Sequence, residues 1–357
     1  MAIKFEDYPY YPAIRSRQAE ITGLEKLSTG QKQRILPIIT LGKWPKAEDI
    51  AVSGEKAAEA MGGLPYLLDV TRESAHHNSS SKNLVDAKDA FRNWQNFVAN
   101  FEHAIPVVQF SDDARVRDIT NQAKAFEENI GRLAFRIANY EEDTPRVISA
   151  LAALDSPESA LIIVDLGYIR PIVPMATSVA IKTINELRDE IPEAIITIIS
   201  TSFPQSVTAF SEDSSGVRGA IDILERELFQ AIGGSDVCIY GDHASIHAVV
   251  YPDIGGRYVP RIDLPLDDVW YFERRPGAGS EGYIEAAKAI IAAHPHVTEG
   301  SDWGAEMIRD AAAGSIGGMG SASKWIAVRV NLHLATQLEL SEALASGNSE
   351  EENEEDF

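Results

Sequence analysis

The chain has 357 residues, of which 45% are hydrophobic and 24% charged, so it can bury a sizeable core and global disorder is excluded. Its formal net charge of −22 at pH 7 disfavours general nucleic-acid binding, because a polyphosphate would be repelled by such a field. The single cysteine excludes an intramolecular disulfide and a cysteine-cluster metal site.

The first residues, MAIKFEDYPYYP, show no basic region followed by an apolar run, so no secretory signal is predicted. No apolar stretch approaches the roughly 20 residues that a membrane span requires, so a membrane partner is not expected. We therefore predict a cytoplasmic protein. The acid-rich residues 346–357 predict a solvated, disordered tail.

Short apolar runs recur along the chain and predict the strands. Continuous apolar character indicates burial on both faces, which is typical of a parallel sheet. The runs are YPAIR (11–15), ILPIIT (35–40), LPYLLDV (64–70), IPVVQF (105–110), LAFRIA (133–138), LIIVDL (161–166), IITIIST (195–201) and VCIYGD (237–242).

The segments between these runs carry apolar residues at helical spacing, as helices packed on a sheet should. The stripes include Phe91, Trp94, Val98 and Phe101; Ile119, Ala123, Phe126 and Ile130; and Ile221, Leu224, Leu228 and Ile232. Eight strand–helix units predict an α/β fold, a (β/α)8 TIM-type barrel. The alternative is a doubly wound open sheet, but its glycine-rich first turn is absent, since RSRQAE stands there.

A long insertion follows the eighth strand. Residues 246–280 are rich in Pro, Gly, Asp and Arg and predict an ordered loop with room for short strands. Residues 281–293 and 301–313 look helical, and 325–344 predict the closing helix. We expect one barrel domain over 1–345, with 246–320 as the insertion.

The segments 71–83, 202–217 and 246–280 are predicted as long loops on the same side of the barrel. They would form a lid or a docking platform for another protein.

Every predicted strand ends in a group able to form hydrogen bonds, and in a barrel these ends meet at one mouth, where such enzymes keep their chemistry. Buried charges at that depth must pair with one another or with a ligand. We expect Arg136 to pair with Asp165, and Arg15 with Asp69 or Asp242. The residues are Arg15 and Arg17, Thr40 and Lys43, Asp69, Thr71 and Arg72, Gln109, Arg136, Asp165, Ser200 and Thr201, and Asp242 and His243.

These residue types predict a site for a small anionic ligand, phosphate-bearing or nucleotide-like. Arg15, Arg72 and Arg136 would hold the anion by paired hydrogen bonds. The other predicted ligand contacts are Arg17, Gln109, Ser200 and Arg275. The candidates for acid–base chemistry are Asp69, Asp165, Asp242 and His243. The ring of charges could equally be an ion-paired plug with a purely structural role.

Weaker patterns leave other readings open. No cofactor is predicted, but a divalent metal held by Asp242, His243 and His247 with Asp165 and Asp69 stays an alternative. Ser200 with His243 has the composition of a nucleophile triad, yet no G-x-S-x-G sequence surrounds it. Arg274 and Arg275 could clamp an anion over the mouth or pair with acidic surface. The runs GSIGGMG and RRPGAGS could turn backbone N–H groups toward phosphate, although neither stands in a P-loop arrangement.

Several stretches resemble the "beta protein" family of phages and bacteria, over about residues 8–340. They are YYPAIRSRQAEITGLEKL with ILPIITL, IVDLGYI (163–169), YGDHASI (240–246), ERRPG and WIAVRVNLHL (325–334). Members carry a basic residue in the first strand, which Arg15 or Arg17 matches. Their second strand often ends in an acid, where this chain has Thr40. The resemblance implies a role in phage–host conflict, since genes of family members sometimes lie beside a nuclease gene. It implies no particular reaction.

Two functions follow. The first is a barrel that binds the anionic ligand. As an enzyme it would also convert this ligand, for example as a hydrolase of the phosphodiesterase type. The second is a non-catalytic subunit that docks a protein partner encoded nearby, such as a nuclease, through its long loops. An exposed aromatic patch would favour the second function. Its members would be Tyr251, Tyr258, Trp270, Tyr271 and Phe272. The sequence also leaves self-association into a homo-oligomer open.

Overall fold

A computed structural model describes residues 3–111, 113–212, 215–249 and 258–354. Its strands are β1 (Tyr10–Arg15), β2 (Ile38–Leu41), β3 (Tyr66–Val70), β4 (Ala104–Pro106), β5 (Leu133–Ile137), β6 (Ala160–Tyr168), β7 (Ile195–Thr201), β8 (Arg218–Asp222), β9 (Ile239–Asp242), β10 (Arg261–Pro265) and β11 (Val269–Arg274). Its helices are α1 (Gln18–Glu25), α2 (Thr29–Lys32), α3 (Ala51–Met61), α4 (Ser79–Leu84), α5 (Lys88–Val98), α6 (Val116–Ile130), α7 (Tyr140–Leu151), α8 (Val173–Glu190), α9 (Leu224–Ile232), α10 (Gly282–Ala293), α11 (Trp303–Ala312) and α12 (Ala322–Glu354).

The main sheet is parallel and 8-stranded, in the order β4-β3-β2-β1-β9-β7-β6-β5. A parallel bridge between Val107, just after β4, and Ala134 of β5 brings its two edges together. The chain is therefore a (β/α)8 barrel with a long insertion after the eighth barrel strand, as predicted. Each predicted apolar run supplies one barrel strand, and the open doubly wound sheet is not formed.

Side chains alternate between two environments along each barrel strand, because successive residues of a strand point to opposite faces. On β6, Leu161 and Ile163 belong to the cluster inside the barrel, whereas Ile162 and Val164 pack against the surrounding helices. All four are buried, which is why the strands read as continuous apolar runs. The same alternation decides which polar side chain at each strand end points into the mouth.

The lower end of the barrel is packed by the N-terminal segment. Phe5 is buried in the interior cluster together with Tyr11 of β1. The Tyr11 hydroxyl donates a hydrogen bond of 2.6 Å to the carbonyl oxygen of Phe5 and so satisfies its polar atom. The interior is thus a filled core rather than a channel, as in other barrels of this size.

A second, antiparallel sheet, in the order β10-β11-β8, is built from the segments that follow β7 and β9. We refer to it as the side sheet. One face, with Leu264 and Tyr271, packs on residues of α10, α11 and the first part of α12. The other face, with Ile221 and Trp270, packs on Phe203 after β7. The insertion therefore has its own core beside the barrel.

One prediction in this region is wrong. The sequence places Ile221 in a helical stripe with Leu224, but Ile221 lies on β8, paired with Trp270 of β11. The helix begins only at Leu224. The misreading arises because a strand and a helix that adjoin each other contributed to one apparent repeat, and tertiary pairing with β11 decided the strand.

Most members of the predicted aromatic patch are buried instead of exposed. Trp270 and Phe272 are 0% exposed and Tyr271 is 8% exposed, whereas Tyr258 is 68% exposed. Tyr251 lies outside the described residues. The buried aromatic side chains fill the cores on the two faces of the side sheet.

The closing helix α12 joins the two cores. Its residues Val330, Leu334 and Leu338 pack in the barrel core, and Val328 and Leu332 pack in the core of the insertion. The helix continues to Glu354. The division into a domain over 1–345 and a disordered tail over 346–357 stays a prediction. Within the described residues, no helix combines the length and the apolarity needed to cross a membrane.

Candidate functional site

Polar side chains meet at the mouth because they occupy interior positions at the ends of their strands. Strand register places Arg15 of β1 beside Thr40 of β2, and Thr40 beside Asp69 of β3. Arg136 of β5 and Asp165 of β6 each stand two positions after an interior residue, so they also face inward. The mouth therefore carries a polar layer directly above the apolar interior.

This layer forms the floor of a pocket of about 210 Å³. Of the predicted site residues, Arg15, Asp69, Arg72, Arg136, Asp165 and His243 line it. Its size suits a small molecule rather than a polymer. The mouth thus contains a pocket above an ion-paired layer.

Arg136 is the centre of the polar layer. Its Nε and Nη2 atoms donate to Asp165 Oδ2 at 3.0 and 2.6 Å, and its Nη1 donates to Asp69 Oδ2 at 2.8 Å and to Thr40 Oγ1 at 2.9 Å. The predicted pairing of Arg136 with Asp165 is confirmed. These contacts use four of the five N–H groups of a guanidinium, so Arg136 mainly positions the two carboxylates.

Asp165 is held ionised by its neighbours. Burial by itself would raise its pKa, but the positive charge of Arg136 and the contact with His243 outweigh burial and hold the pKa of Asp165 well below its usual range. A β-bulge after Asp165 places Gly167 at a φ of +61°, and the Gly167 N–H donates to Asp165 Oδ1 at 3.0 Å. The bulge therefore helps to aim this carboxylate.

His243 is oriented by Asp165. Its Nε2 lies 2.9 Å from Asp165 Oδ1. Because that carboxylate is ionised and can only accept, Nε2 must be the protonated nitrogen. Among the described residues, no group hydrogen-bonds to the other ring nitrogen, Nδ1. In the neutral imidazole, Nδ1 is then an acceptor on a residue that lines the pocket, which is the geometry of a general base.

Asp69 has both of its oxygens engaged. Oδ2 accepts from Arg136, and Oδ1 accepts from Gln109 Nε2 at 3.0 Å and from the Val70 N–H at 2.8 Å. Gln109 is itself buried and is held by Gln122. Gln109 thus supports Asp69 from below and does not line the pocket. The predicted pairing of Asp69 with Arg15 is wrong.

Arg15 is more loosely held. Its Nε lies 3.4 Å from Glu20 Oε1, and its Nη atoms donate to the carbonyl oxygens of His247 and Ala248 at 3.2 and 3.5 Å. Glu20, on α1, is buried, and its Oε2 accepts from the Arg15 backbone N–H at 2.7 Å. These long side-chain contacts are weak, so the Arg15 guanidinium has capacity for a ligand.

Arg72 stands at the rim of the pocket. Its Nη1 donates to Asp143 Oδ2 at 3.0 Å, and its Nη2 donates to the Arg136 carbonyl oxygen at 2.8 Å. The side chain stays 34% exposed. It lies over the Phe110 ring with 5.2 Å between the guanidinium carbon and the ring centroid. Arg72 therefore offers a preorganised, accessible cation.

Further charged side chains lie near His76 beside this rim. His76 is partly buried, and burial lowers its pKa. The charge of Glu73, 3.4 Å away, raises this pKa, and the charges of Arg17, Arg15 and Lys43 lower it further. Arg17 and Lys43 are exposed and do not line the pocket. They add positive charge beside Glu73 on this side of the entrance.

Asp242 and Ser200 lie on the other face of their strands. Ile239 of β9 and Ile199 of β7 contribute to the interior cluster, so Asp242 and Ser200, which stand an odd number of positions away, point toward the helix layer. Asp242 is buried and does not line the mouth pocket. Its predicted pairing with Arg15 is therefore wrong.

Asp242 belongs to a buried network between the barrel and the side sheet. It accepts hydrogen bonds from the Tyr10 hydroxyl at 2.7 Å, the Tyr240 hydroxyl at 3.1 Å and the Ala244 N–H at 2.7 Å. His333 of α12 lies 2.9 Å from Asp242 Oδ2. The network explains how a carboxylate is tolerated at this depth.

The tautomer of His333 follows from its second contact. Trp270 of β11 lies with Nε1 3.2 Å from His333 Nδ1. An indole N–H can only donate, so Nδ1 accepts and Nε2 carries the proton that is donated to Asp242. The sequence missed His333, Tyr10 and Glu20. His333 faces the strands from the helical segment WIAVRVNLHL, and only its position in space identifies it.

Two other predictions are resolved by position. Arg275 lies outside the mouth, with Nη1 2.8 Å from Glu273 Oε2. It therefore pairs with an acidic side chain and does not clamp an anion over the mouth. Within the described residues, no three His, Cys, Asp or Glu side chains come together in a way that could hold a metal ion. His247 stacks on Tyr168, with 4.5 Å between the ring centroids.

The fold and site can be compared with known proteins. The model of the family described as Beta protein matches residues 10–339. "Protein beta" of Enterobacteria phage P4 is 55% identical over 352 residues, which cover 99% of this chain and 99% of the relative. No solved structure shows significant similarity to the chain.

Proposed function

The chain belongs to the Beta protein family, and from that premise we propose that its barrel mouth binds a small ligand carrying an anionic group such as phosphate. The observation that carries the proposal is the open pocket of about 210 Å³ with two accessible arginines at its edge, Arg15 and Arg72. Arginine recognises phosphate and carboxylate groups through paired hydrogen bonds.

The charge at the entrance supports an anion. The lining side chains include as many as four carboxylates, Glu20, Asp69, Glu73 and Asp165. The deeper two, Asp69 and Asp165, share the single positive charge of Arg136. The rim adds Arg17 and Lys43 near Arg15. A ligand would place its anionic group at the rim, and its neutral part toward the floor.

The floor supports proton transfer from the bound ligand or from a water beside it. His243 Nδ1 would accept the proton, and Asp165 would stabilise the imidazolium through Nε2. Arg136 would act as a positioning residue for Asp165, and its role as a direct ligand contact stays a prediction. A hydrolytic reaction of the phosphodiesterase type is one use of such a base.

Native mass spectrometry tests the proposal. The full-length protein would be purified after co-expression with the genes that flank its own gene. We expect an added mass of about a few hundred daltons, the size class that a pocket of this kind accepts. Arg15→Gln should remove the added mass. Arg34→Gln is the matched control, because Arg34 is exposed and pairs with Glu342 away from the mouth.

Two outcomes would reject the proposal. One is an added small-molecule mass that is retained both in the Arg15→Gln variant and in the Arg34→Gln control. The other is an added mass equal to a neighbouring gene's protein product with no small ligand. The second outcome would establish the alternative function, a non-catalytic subunit that docks a partner.

A further inference from the structure

A second pocket, of about 450 Å³, lies in the insertion and shares no lining residue with the barrel mouth. It lies between the segments 278–280 (AGS) and 320–323 (GSAS), which precede or begin α10 and α12. Packing holds the two segments together, since a Cβ on Gly320 would lie 3.7 Å from the Cβ of Ser280. The glycine-rich runs noted in the sequence therefore meet at one place.

The lining of this insertion pocket has an unusual composition for an acidic protein. The chain carries 54 acidic residues, yet among the residues that the structure describes no Asp or Glu lines the pocket. The polar groups that do line it are neutral hydroxyls. They belong to Tyr258, Ser280, Tyr283, Ser321 and Ser323. An anion would meet hydrogen-bond donors here without a carboxylate to repel it.

The first turn of α12 contributes backbone donors. Ala322 and Ser323 begin this 33-residue helix and line the pocket. The N–H groups at the start of a helix have no partner within the helix and carry a partial positive charge. At the start of α10, by contrast, the Gly282 and Tyr283 N–H groups are already bound to the Gly279 and Ser280 carbonyl oxygens. At the start of α12 the Lys324 N–H is bound to the Ser321 carbonyl oxygen, and among the described residues no group accepts from the N–H groups of Ala322 and Ser323. These two N–H groups are therefore the backbone donors open to a ligand.

Tyr283 is an independent indication of a ligand. Its side chain is 3% exposed and its ring stacks on Trp325, with 5.3 Å between the ring centroids. Among the described residues, no group hydrogen-bonds to its hydroxyl, although the residue lines the pocket. Burial raises the pKa of Tyr283, with Arg261 acting in the opposite direction, so the hydroxyl stays a donor at neutral pH. The hydroxyl is not one of the fully enclosed polar atoms, so it can donate to a molecule in the pocket.

The pocket also has a flat aromatic surface and a rigid wall. Tyr258 is strongly exposed beside it and can stack on a planar group. Gly282 permits the close packing behind it, because a Cβ there would lie 2.8 Å from the Cβ of Ala278. The wall that carries Tyr283 is thus fixed by backbone packing.

We propose that the insertion pocket binds a phosphomonoester with a planar ring, of the size of a nucleoside monophosphate. The phosphate would lie at the start of α12, where it accepts from the Ser321 and Ser323 hydroxyls, from free backbone N–H groups and from Tyr283. The ring would lie against Tyr258. This site is separate from the barrel mouth and does not depend on the function proposed for it.

Calorimetric titration of the full-length protein with adenosine monophosphate tests this site, with inorganic phosphate and adenosine as the two partial ligands. We expect the monophosphate to bind and each part to bind more weakly. Tyr283→Phe keeps the stacked ring and removes one donor, so it should weaken binding about 3- to 10-fold, the usual effect of losing one hydrogen bond.

Ser323→Asp places a carboxylate where the phosphate would lie, while an acid in the first turn is favourable for the helix itself. We expect it to weaken binding at least about tenfold, as direct charge opposition should. Ser315→Asp is the charge-matched control, because Ser315 is exposed and lies outside the lining. It should leave the affinity within about twofold, since exposed charges at a distance are screened.

Three results would overturn the proposal. The first is no heat of binding to the unmodified protein at millimolar monophosphate. The second is an equal effect of Ser323→Asp and Ser315→Asp. The third is loss of binding in Arg15→Gln but not in Ser323→Asp, which would place the monophosphate in the barrel mouth.

Discussion

Arg136 Nη2 lies 2.6 Å from Asp165 Oδ2 at the mouth of the barrel, and the two side chains are 13% and 10% exposed. The same guanidinium reaches Asp69 of β3 at 2.8 Å and Thr40 of β2. Arg136 therefore links strands on both sides of the point where the sheet closes. Its single positive charge is shared by two carboxylates, one of which orients His243.

Replacing Asp165 by asparagine should destabilise the fold. Asp165→Asn removes one of the two carboxylates that pair with Arg136, while Asp69 keeps the guanidinium paired. The loss of hydrogen bonds to a charged, largely buried group should cost about 1–3 kcal/mol. Urea denaturation of the purified protein measures this loss in the free energy of unfolding. Lys182→Ala is the control, because Lys182 pairs with Glu186 on the surface at 3.6 Å, and such exposed pairs contribute about 0.5 kcal/mol or less. Equal losses in the two variants would contradict the assignment.

The contribution of Asp165 should disappear in acid. Its pKa in the folded chain is lowered, so the unfolded chain binds the proton more readily. The contribution is then complete above the unfolded pKa of about 4 and is lost as the pH falls below that value. We expect the difference in unfolding free energy between the unmodified protein and Asp165→Asn to shrink from pH 6 to pH 3. A difference that stays constant over this range would show that Asp165 is not held ionised by its neighbours.

Gly241 should not accept a side chain. It stands on β9 directly before Asp242 and His243, and a Cβ there would lie 2.6 Å from the Tyr11 carbonyl oxygen and 2.7 Å from Ile199 Cγ2. Because one of these atoms is backbone, the strand itself must shift. Gly241→Ala should therefore lower the free energy of unfolding by about 1–3 kcal/mol, as overpacking does.

Gly30 on α2 provides the comparison for Gly241. No atom lies within 4 Å of the Cβ that alanine would add at Gly30. Gly30→Ala should be neutral or stabilise by up to about 1 kcal/mol, since alanine favours a helix. Thermal or urea unfolding of both variants checks the pair. A harmless Gly241→Ala would mean that the packing of β9 between β1 and β7 is looser than described.

Trp270 should stabilise the fold through its indole N–H as well as its ring. Trp270→Phe leaves Nδ1 of the buried His333 without its donor, which costs about 1–3 kcal/mol beyond the change in ring size. Trp303→Phe is the control, because no described residue accepts a hydrogen bond from the Trp303 indole. Urea denaturation gives the two losses, and nitrogen chemical shifts of His333 should show Nε2 protonated in the unmodified protein. A proton on Nδ1 would contradict the network.

Much of the barrel could be predicted because its strands are buried on both faces. The run around Ile163 is apolar without interruption, and the run around Ile198 is interrupted only by Thr197, which is also buried. Such a pattern can be recognised from the sequence without knowledge of the tertiary structure. The side sheet could not be predicted in the same way. Its strand β8 alternates between exposed and buried residues over only five positions, and Ile221 alone fitted a helix equally well.

The candidate site was predicted in composition but only partly in geometry. The pairing of Arg136 with Asp165 follows from neighbouring strands. The separation of His243 from Asp242 follows from the period of two along β9, because adjacent residues of a strand point to opposite faces. Glu20 reaches the mouth from α1, and no local pattern distinguishes it from a surface acid.

The sequence by itself determined the class of fold and the chemical character of the mouth, because strand burial and strand ends are local properties of the chain. Only the tertiary structure decided how the charges are shared. Arg136 pairs with two carboxylates, Asp242 pairs with His333, and Arg15 lies at the rim with weak contacts. The physical reason is that a buried charge takes the partner that geometry places within hydrogen-bond distance, and that distance is set by register, by bulges and by packing between elements far apart in the chain.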